Sequence, residues 1–589
     1  MAVENLITEH IDIWTSAVKT KSTSGRGSSK KLELYGVKKL RELILELAVR
    51  GKLVPQDPSD EPASLLLERI AAEKAQLVKE KKIKKQTALP EVTEQEAPFN
   101  VPKGWEWTRL GNLSSDIHYG YTASAKPNSE GVRLLRITDI QNDKVNWETV
   151  PACDITEEKA KSYLLENDDI LIARTGGTIG KSYLVENIDL QAVFASYLIR
   201  VKRVQAVYAP FTKVFLGSQL YWKQLIENSA GTGQPNVNAT ALKQLLFIVP
   251  PFNQQKRIVA KVDELMTLCD QLEQQTEASI EAHQVLVTNL LNTLTNSADA
   301  DELMQNWARI SEHFDTLFTT EESIDQLKQT ILQLAVMGKL VPQDPIDEPA
   351  AELLKRIAEE KAQLVKEKKI KKQKALPPIA EDEKPFELPN GWEWCRVDDV
   401  VALKHGFAFK SSYFLESSGP YVLTTPGSFY ETGGFRDRGD KTKYYDGPLE
   451  EEFIFEANDL IIPLTEQAPG LLGSAAFIPE DDRTYLHNQR LAKLTPYHDA
   501  VRKDYIYWYF NSPYLRSELA RTCTGTTVRH SSPTKVQVTL FALPPTNEQK
   551  NIVERIDSLL SICQQLKARL NESQATQLHL TDAIVEQAV

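Results

Sequence analysis

Residues 40–90 read LRELILELAVRGKLVPQDPSDEPASLLLERIAAEKAQLVKEKKIKKQTALP, and residues 327–377 read LKQTILQLAVMGKLVPQDPIDEPAAELLKRIAEEKAQLVKEKKIKKQKALP. The two stretches lie 287 positions apart and agree at about 40 of their 51 residues. Internal repeats determine architecture, because each copy of a repeated unit is expected to fold in the same way. The chain therefore contains one structural unit twice.

The likeness between the copies is interrupted by two inserts. It continues to the motif GWEW at 104–107 and 391–394, stops, and returns at 250–273 and 544–567 with an offset of 294. Each insert has roughly 150–160 residues, the size of one domain. An accidental duplication that drifted evenly would not leave nearly identical flanks beside unlike inserts. We therefore expect one scaffold that carries two different domains.

The block that follows each insert has the spacing of a coiled-coil helix. Its apolar residues recur four and three positions apart, at Ile258, Val262, Leu265, Cys269 and Leu272 in the first copy and at Ile552, Ile556, Leu559, Cys563, Leu566 and Leu570 in the second. Such a seam faces a partner helix, and a helix over 253–294 would be about 60 Å long. We expect the two helices to pair antiparallel within the chain, with both cysteines as core residues of the seam and not as reactive thiols.

The block that precedes each insert predicts two helices joined by a proline-rich connection. The first helix should stop at Gly51, and the second should run from about Ala63 to Gln86. The second helix ends in the basic run KEKKIKKQ, which recurs at 366–373. Two interpretations of this run stay open: a solvated helix end whose cations favour the helix dipole, or a surface that contacts phosphate groups or a partner.

Composition excludes several classes of protein. The 589 residues carry 69 Lys and Arg against 81 Asp and Glu, a formal net charge of -12, and 41% of them are hydrophobic. No apolar run approaches the roughly 18 residues that cross a bilayer, and the N-terminus lacks the pattern of a secretory signal. The five cysteines are scattered, without zinc-site spacing. We expect a soluble, cytoplasmic protein without disulfides or metal. At the N-terminus we expect a helix over about 3–19, followed by a flexible basic linker at 20–31.

Both inserts combine short β-rich runs with an aromatic helical stretch, so each is expected to be a compact α/β or α+β domain. Their charge is uneven along the sequence. Basic minus acidic residues give −4 over 98–170 and +5 over 171–250 in the first insert, and −11 over 385–482 and +6 over 483–545 in the second. An acidic chain argues against nucleic-acid binding, but a basic half in each insert is typical of a surface that binds a polyanion.

No catalytic motif is complete. The stretch RTGGTIGKS at 174–182 resembles a phosphate-binding loop, but its glycines have the wrong spacing, and Gly177 and Gly180 fit a β-hairpin turn better. The stretch NSPY at 511–514 lacks the second proline of an amino-methyltransferase motif, and the sequence has no nuclease, metalloprotease or nucleophile motif. We therefore predict that this chain is not an enzyme.

Several motifs together point to a family. They are the GWEW openings, the strand-turn DDILIARTGGTIGKSYLV at 168–185 with its counterpart NDLIIPLTEQAPGLLGSAAFIP at 458–479, and the closings GTGQPNVNATALKQLLFIVPPFNQQKRIV at 231–259 and GTTVRHSSPTKVQVTLFALPPTNEQKNIV at 525–553. With these motifs, over essentially its whole length, the chain resembles the specificity subunit of a type I DNA restriction-modification enzyme.

The resemblance implies a fold and a division of labour. The fold is α+β, with two α/β target recognition domains joined by long antiparallel helices and an internal pseudo-twofold repeat. Each domain would read one half of a bipartite, asymmetric site in double-stranded DNA, and the helices would set the spacer. The chain itself would carry no cofactor. It would recruit two modification subunits, which methylate adenine with S-adenosylmethionine, and two restriction subunits, which use ATP and Mg²⁺ to translocate and cut DNA.

The repeats also predict the domain boundaries. We expect an N-terminal helical region at 1–97, a first target recognition domain at 98–250, a central helical region at 251–384, a second target recognition domain at 385–545 and a C-terminal spacer helix at 546–589.

The candidate DNA-contacting residues are chosen by side-chain chemistry, because Arg and Lys suit phosphates and guanine edges whereas Asn and Gln suit adenine edges. In the first domain they are Arg133, Arg136, Arg174, Thr175, Lys181, Arg200, Lys202, Gln234 and Asn236. In the second domain they are Lys443, Thr465, Gln467, Asn488, Gln489, Arg490, Arg529, His530 and Lys535. The two domains differ at one glycine turn, where Gln234-Pro235-Asn236 corresponds to Thr527-Val528-Arg529. This difference fits two domains that read different half-sites.

Overall fold

Two structural units of similar size make up the chain. A computed structural model describes residues 3–22, 30–126, 131–229, 237–298, 300–370, 376–466, 468, 470–523 and 529–589. Unit 1 consists of residues 1–279 and 573–589, and unit 2 consists of residues 280–572.

Unit 1 contains the first helical hairpin and the first insert. Its helices are α1 Val3–Glu9, α2 Ile11–Ser16, α3 Tyr35–Val49, α4 Ala63–Lys79, α5 Leu110–Leu113, α6 Glu157–Ala160, α7 Ala209–Phe215, α8 Gln219–Ser229, α9 Ala239–Gln244 and the first part of α10 Phe252–Asn296. Its strands are β1 Lys19–Ser22, β2 Lys30–Glu33, β3 Glu106–Arg109, β4 Ser114–Tyr119, β5 Arg133–Leu135, β6 Ile140–Gln141, β7 Lys144–Val145, β8 Ile170–Ala173, β9 Ser182–Leu184, β10 Ala192–Phe194, β11 Leu198–Arg203 and β12 Leu246–Val249.

Unit 2 contains the second hairpin and the second insert. Its helices are the end of α10, α11 Ala300–Glu312, α12 Phe314–Leu317, α13 Glu321–Val336, α14 Ala350–Lys366, α15 Val397–Val400, α16 Lys503–Phe510, α17 Pro513–Arg521, α18 Pro533–Gln537 and the first part of α19 Thr546–Ala588. Its strands are β13 Glu393–Arg396, β14 Val401–His405, β15 Phe414–Leu415, β16 Tyr421–Leu423, β17 Tyr444–Tyr445, β18 Leu460–Pro463, β19 Thr465–Glu466, β20 Ala476–Phe477, β21 Tyr485–Leu486, β22 Leu491–Pro496, β23 Arg529–His530 and β24 Leu540–Leu543.

The two inserts share a topology although their sequences are unlike. In unit 1 an antiparallel sheet has the order β4-β11-β8-β9, and in unit 2 the order β14-β22-β18-β20 matches it strand for strand. The pairs β3–β12 and β13–β24 close each domain at the point where its chain enters and leaves. Parallel pairing of β5 with β10 and of β16 with β21 adds a further common element. The prediction of two mixed helix-and-strand domains is therefore confirmed.

Each block that follows an insert forms one long helix, as its heptad spacing predicts. Helix α10 has 45 residues and α19 has 43 residues, or about 65 Å each. Residues 252–279 of α10 belong to unit 1 and residues 280–296 to unit 2, whereas residues 546–572 of α19 belong to unit 2 and residues 573–588 to unit 1. The seam cysteines Cys269 and Cys563 are 0% and 1% exposed, so both are core residues as predicted.

Both repeated hairpins turn where the sequence predicts. Gly51 and Gly338 end α3 and α13 with positive φ values of 70° and 69°. A Cβ on Gly51 would lie 2.6 Å from the ring of Pro102, so the packing also requires glycine. The second helix is shorter than predicted, because α4 ends at Lys79 and the chain turns through a left-handed conformation at Lys81.

The N-terminal segment departs from its prediction. In place of one helix over about 3–19, α1 and α2 are separated at His10, whose ψ of 22° interrupts the helix. The segment predicted as a flexible linker contains β1 and β2, which pair antiparallel from Lys19 with Glu33 to Ser22 with Lys30. Residues 23–29 lie outside the described residues. Backbone hydrogen bonding explains the difference, since composition alone does not reveal a pairing strand.

Among the described residues, none of the helices is both long enough and apolar enough to cross a membrane.

Candidate nucleic-acid interface

One edge of the sheet in unit 1 gathers exposed aromatic and basic side chains. Strand β4 ends at Tyr119, β8 ends just before Arg174, and β11 begins just after Tyr197, and the antiparallel register brings these three positions together. Tyr197 is 65% exposed and Tyr119 is 36% exposed. The Arg174 guanidinium lies 4.6 Å from the centroid of the Tyr119 ring, within cation–π range. Tyr119, Arg174, Lys181 and Tyr197 are called the first edge below.

Backbone hydrogen bonds hold the first edge in place. The N–H of Arg174 donates to the carbonyl oxygen of Tyr197 at 2.9 Å, and the N–H of Val237 donates to that of Arg174 at 3.0 Å. The N–H of Gly120 donates to the carbonyl oxygen of Leu198 at 3.1 Å. These bonds tie β4, β8, β11 and the start of α9 into one frame.

The same frame recurs in unit 2 with different side chains. The N–H of Leu464 donates to the carbonyl oxygen of Arg490 at 2.8 Å, and the N–H of Ser531 donates to that of Leu464 at 3.0 Å. The N–H of Gly406 donates to the carbonyl oxygen of Leu491 at 3.3 Å. Matching bonds define equivalent positions, which are Tyr121 and Phe407, Arg174 and Leu464, Ala195 and Asn488, Ser196 and Gln489, Tyr197 and Arg490, and Val237 and Ser531. The last pair has an offset of 294, one more than the correspondence predicted for the glycine turn just before it.

A close backbone crossing fixes the frame in both domains. A Cβ on Gly120 would lie 2.3 Å from the carbonyl oxygen of Ala195, and a Cβ on Gly406 would lie 2.2 Å from that of Asn488. Only glycine permits such an approach. The loop that precedes β11 or β22 is therefore positioned by the backbone, whereas its side chains are left free to differ between the domains.

The sequence-predicted residues of the first domain fall into two groups. Arg174, Thr175 and Lys181 flank the β8–β9 hairpin at the first edge, and this hairpin confirms the predicted turn. Arg133 donates to the carbonyl oxygen of Val150 at 3.2 Å, away from that hairpin. The guanidinium of Arg136 is bound by both carboxylate oxygens of Asp139, at 2.7 and 3.0 Å. Lys202 pairs with Glu166 at 3.0 Å on the later part of β11, and Gln234 and Asn236 lie outside the described residues.

Arg200, which the sequence predicts to contact DNA, is buried in an ion pair. Its side chain is 5% exposed, lies 3.2 Å from the equally buried Asp169 carboxylate, and donates to the carbonyl oxygen of Leu164 at 2.6 Å. In unit 2 Lys493 forms the equivalent ion pair with Asp459 at 2.6 Å. Because the pair recurs in both domains, it belongs to the shared scaffold.

The predicted residues of the second domain divide in a similar way. Asn488, Gln489 and Arg490 form the loop before β22, equivalent to the loop before β11, and Gln489 and Arg490 are exposed. Lys443 is exposed, and Lys535 donates to the carbonyl oxygen of Thr522 at 2.5 Å.

Thr465, another predicted DNA contact, is buried in the fold. Thr465 is 3% exposed, and its Oγ1 lies 3.3 Å from Nδ1 of His530, which is itself exposed. The backbone of Arg529 pairs with Glu466 in the β19–β23 ladder. Gln467 lies outside the described residues.

The basic halves of the inserts are not separate basic surfaces. Cations from the later half of each insert pair with acidic groups from its earlier half, so that charges separated along the sequence are neutralised in the fold. The pairs are Lys202 with Glu166, Arg203 with Asp168, Lys213 with Asp143, Lys493 with Asp459 and Arg483 with Asp437. The basic character that remains at the sheet edges comes from a few side chains such as Lys181 and Arg490.

Sequence reasoning missed the loop Ala195-Ser196-Tyr197. This loop occupies the positions of Asn488-Gln489-Arg490, which were predicted from their polar side chains. An alignment of FASYLIRVK at 194–202 with HNQRLAKLT at 487–495 would have found it, because both runs lead into the central strand of the sheet.

A buried histidine lies directly behind the second loop. His487 is 1% exposed and occupies the position of Phe194. Its Nε2 lies 3.2 Å from the carbonyl oxygen of Leu491 and must carry a proton to donate there. Burial lowers the pKa of His487 to about 4, although the hydrogen bond to Leu491 opposes the shift. The ring is therefore neutral at physiological pH.

Comparison with known proteins identifies the family. The family model described as "Type I restriction modification DNA specificity domain" matches residues 102–282 and 389–573. The EcoAI specificity subunit of Escherichia coli is 42% identical over 620 aligned positions, which cover 100% of both chains. The chain belongs to the type I restriction enzyme specificity subunits. The EcoEI specificity subunit of the same species is 39% identical, again over 100% of both chains.

A solved structure is also similar to this specificity subunit. It comes from work on "complex assembly" and "conformational transition" of a type I restriction-modification system. It is 19% identical, with a TM-score of 0.49, and the match covers 83% of this specificity subunit and 99% of the other chain.

Family membership confirms the main functional predictions. Specificity subunits are the DNA-recognition component of type I restriction-modification systems and are not catalytic. The two stretches that match the family model each contain one insert, so both inserts are DNA-recognition domains. The exact domain boundaries stay predictions.

Proposed function

We propose that each domain of this specificity subunit reads one half of a two-part DNA site with its sheet edge, and that α10 and α19 fix the length of the unread spacer. The observation that carries this proposal is the common backbone frame with different side chains. Tyr197 in the first domain corresponds to Arg490 in the second, and Arg174 corresponds to Leu464. Two edges of one shape and different chemistry fit two half-sites of different sequence.

The chemistry of the two edges suits direct contact with base pairs. In the second domain, Asn488 and Gln489 offer amides that match adenine, and Arg490 offers a guanidinium that matches guanine. In the first domain, Arg174 and Lys181 supply cations, and Tyr197 supplies an exposed ring with a hydroxyl group. The different donors and acceptors support an asymmetric target.

We further propose that two modification subunits and two restriction subunits assemble on this chain, and that S-adenosylmethionine, ATP and Mg²⁺ bind to those subunits. The repeated hairpins support a pair of equivalent partners, because they offer the same surface twice. Native mass spectrometry of the reconstituted complex tests the numbers. A complex with a single modification subunit would contradict the proposal.

An exchange of loop side chains tests which domain reads which half-site. The triple variant Ala195→Asn, Ser196→Gln and Tyr197→Arg gives the first domain the loop of the second on an unchanged backbone frame. We expect the half-site read by the first domain to change and the other half-site to stay the same. Sequencing of methylated genomic DNA from cells that carry the variant system measures both.

A matched control separates recognition from general disturbance. Met304 on α11 is 64% exposed, close to the 65% of Tyr197, so Met304→Ala removes a similar exposed side chain outside both domains. We expect Met304→Ala to leave the methylated sequence unchanged and Tyr197→Ala to relax one half-site. A loop variant that altered both half-sites, or neither, would refute the assignment.

A further inference from the structure

The basic run at the end of each repeated hairpin has been kept unchanged between the copies. Residues 73–86 and 360–373 are identical at all 14 positions. Earlier on the same helices the copies have diverged even in charge, since the exposed Glu68 of α4 corresponds to the exposed Lys355 of α14. Exposed residues that only keep a helix soluble are free to drift. Contacts with the first domain account for the identity of Glu73, Lys74 and Gln86. The exposed lysines that follow α4 and α14 make the same turn in both copies and point to a further role.

A lysine occupies a backbone position that favours glycine in both copies. Lys81 and Lys368 each have a φ of 58° at the end of their helix. The N–H of Lys82 donates to the carbonyl oxygen of Leu77 at 2.9 Å, the pattern of a helix C-terminal cap that usually contains glycine. The same hairpin uses Gly51 for this purpose at the end of α3. A left-handed lysine is strained, and its presence at this turn in both copies points to a use for the side chain.

The segments that carry the lysine turns contact each domain where its first sheet strand begins, and the proposed DNA contacts lie where that strand ends. In unit 1 the amide of Gln86 donates to the carbonyl oxygen of Ser115 at 2.7 Å, at the start of β4, whereas the first edge lies at the end of β4. In unit 2 Lys361 of α14 donates to the carbonyl oxygen of Asp398 at 2.6 Å, just before β14 begins. This placement favours a protein partner over the DNA that the edges read.

We propose that the two lysine turns, Lys79–Lys82 and Lys366–Lys369, are docking sites for an acidic surface on two copies of one partner, the modification subunit. Lys79, Lys81 and Lys82 are exposed, as are Lys366, Lys368 and Lys369. Identical surfaces fit identical partners, and positive charge selects an acidic one. The choice of partner rests on the assembly proposed above.

Neutralisation of one lysine turn at a time tests the docking sites. The variants Lys79→Gln, Lys81→Gln and Lys82→Gln are combined in the first copy, and Lys366→Gln, Lys368→Gln and Lys369→Gln in the second. The full-length chain is mixed with the modification subunit, without DNA, and measured by native mass spectrometry and sedimentation velocity at two salt concentrations. We expect two bound subunits for the unaltered chain and one for either variant, with affinity at the altered site lowered at least tenfold. The chain with both copies neutralised should bind none.

Two single substitutions separate docking from folding. Lys81→Gly relieves the strained conformation, so the melting temperature should be unchanged or higher while binding of one modification subunit weakens. Lys355→Glu gives the second hairpin the residue that the first hairpin has at this position, Glu68, and should change neither the melting temperature nor the binding.

Two subunits bound with unaltered affinity to the doubly neutralised chain would overturn the proposal. In a separate measurement of DNA binding by the isolated chain, a loss of DNA affinity in the neutralised variants with assembly intact would also overturn the proposal, because the lysines would then contact phosphates. Since the assembly assay contains no DNA, failure of half-site reading does not affect its outcome.

Discussion

The ring of His487 is buried beside Phe455, with ring centroids 4.6 Å apart, and the cations Lys404 and Lys493 and the imidazole of His405 further disfavour its protonation. Its pKa in the folded chain is about 4, against about 6.5 for an unfolded histidine. Between these values the unfolded state binds a proton that the folded state does not. The stability of unit 2 should therefore fall as the pH drops from about 6.5 towards 4, by up to about 3 kcal/mol.

The first prediction follows from the residue at the equivalent position. His487→Phe places the side chain of Phe194 behind the second loop, and we expect it to remove most of the acid sensitivity of unit 2. Urea unfolding of both proteins at pH 7.5 and pH 5 measures the difference. An equal loss of stability in both proteins would show that other groups cause the acid sensitivity.

The second prediction contrasts a buried cation with an exposed one. Arg200→Ala leaves the carboxylate of Asp169 buried without its partner, which typically costs about 3–5 kcal/mol, so the first domain should unfold at a markedly lower denaturant concentration. Lys181→Ala should change stability by about 0.5 kcal/mol or less and weaken DNA binding. Arg200→Lys reproduces the Lys493–Asp459 pair of unit 2 and should restore most of the stability. Equal stability of Arg200→Ala and Lys181→Ala would contradict the structural role of Arg200.

These residues also show how far sequence alone could reach. The hairpin that carries Arg174 and Lys181 was predictable, because Gly177 and Gly180 indicate a turn between two strand-like runs. The role of Arg200 was not, because its partner Asp169 lies 31 positions away and strand alternation does not reveal which carboxylate faces it. Tyr197 was missed because the inserts are unlike in sequence, and only backbone hydrogen bonds make it the equivalent of Arg490.

At the scale of elements, the two long helices were predictable because apolar core positions recur every three or four residues. This heptad spacing predicted the bounds of α10 and α19 to within a few residues at each end. The antiparallel strands β1 and β2 were not predictable from the sequence, since the segment 20–31, TKSTSGRGSSKK, is polar and rich in glycine and serine. Apolar periodicity is the main sequence signal for a strand, and this segment has none.

The third prediction concerns the two long helices. Insertion of seven residues after Ser279 of α10, together with seven after Glu572 of α19, keeps the apolar seam in phase because seven residues complete one heptad. Each helix grows by about 10 Å, so the unread spacer should lengthen by no more than about three base pairs. Sequencing of methylated DNA should find both half-sites unchanged. An insertion of four residues shifts the seam and serves as the control, with loss of stability expected.

At the scale of the whole molecule, the net charge of -12 and the ion pairs within each domain leave few cations for phosphate groups. The fourth prediction is that the isolated chain binds its DNA site weakly and with a shallow salt dependence. If about four phosphates are neutralised, the slope of log K against log salt is about −4. Fluorescence anisotropy between 50 and 200 mM salt measures it.

The complex with partner subunits provides the comparison for this slope. We expect tighter binding and a steeper slope once the partners add their own cations. A slope of −8 or steeper for the isolated chain would mean that it holds more phosphates than the sheet edges supply.

The near-identity of residues 40–90 and 327–377 has a genetic consequence. If the two coding segments are as alike as the proteins they encode, an unequal crossover between them deletes 287 codons in frame and leaves a gene with one recognition domain, one hairpin and one long helix. That shortened protein would have one long helix in place of the two, α10 and α19, that this chain contains. Two shortened chains could then associate and restore the pair, now with identical domains at both ends. Such a recombinant would recognise a palindrome, so a single deletion could convert an asymmetric target into a symmetric one.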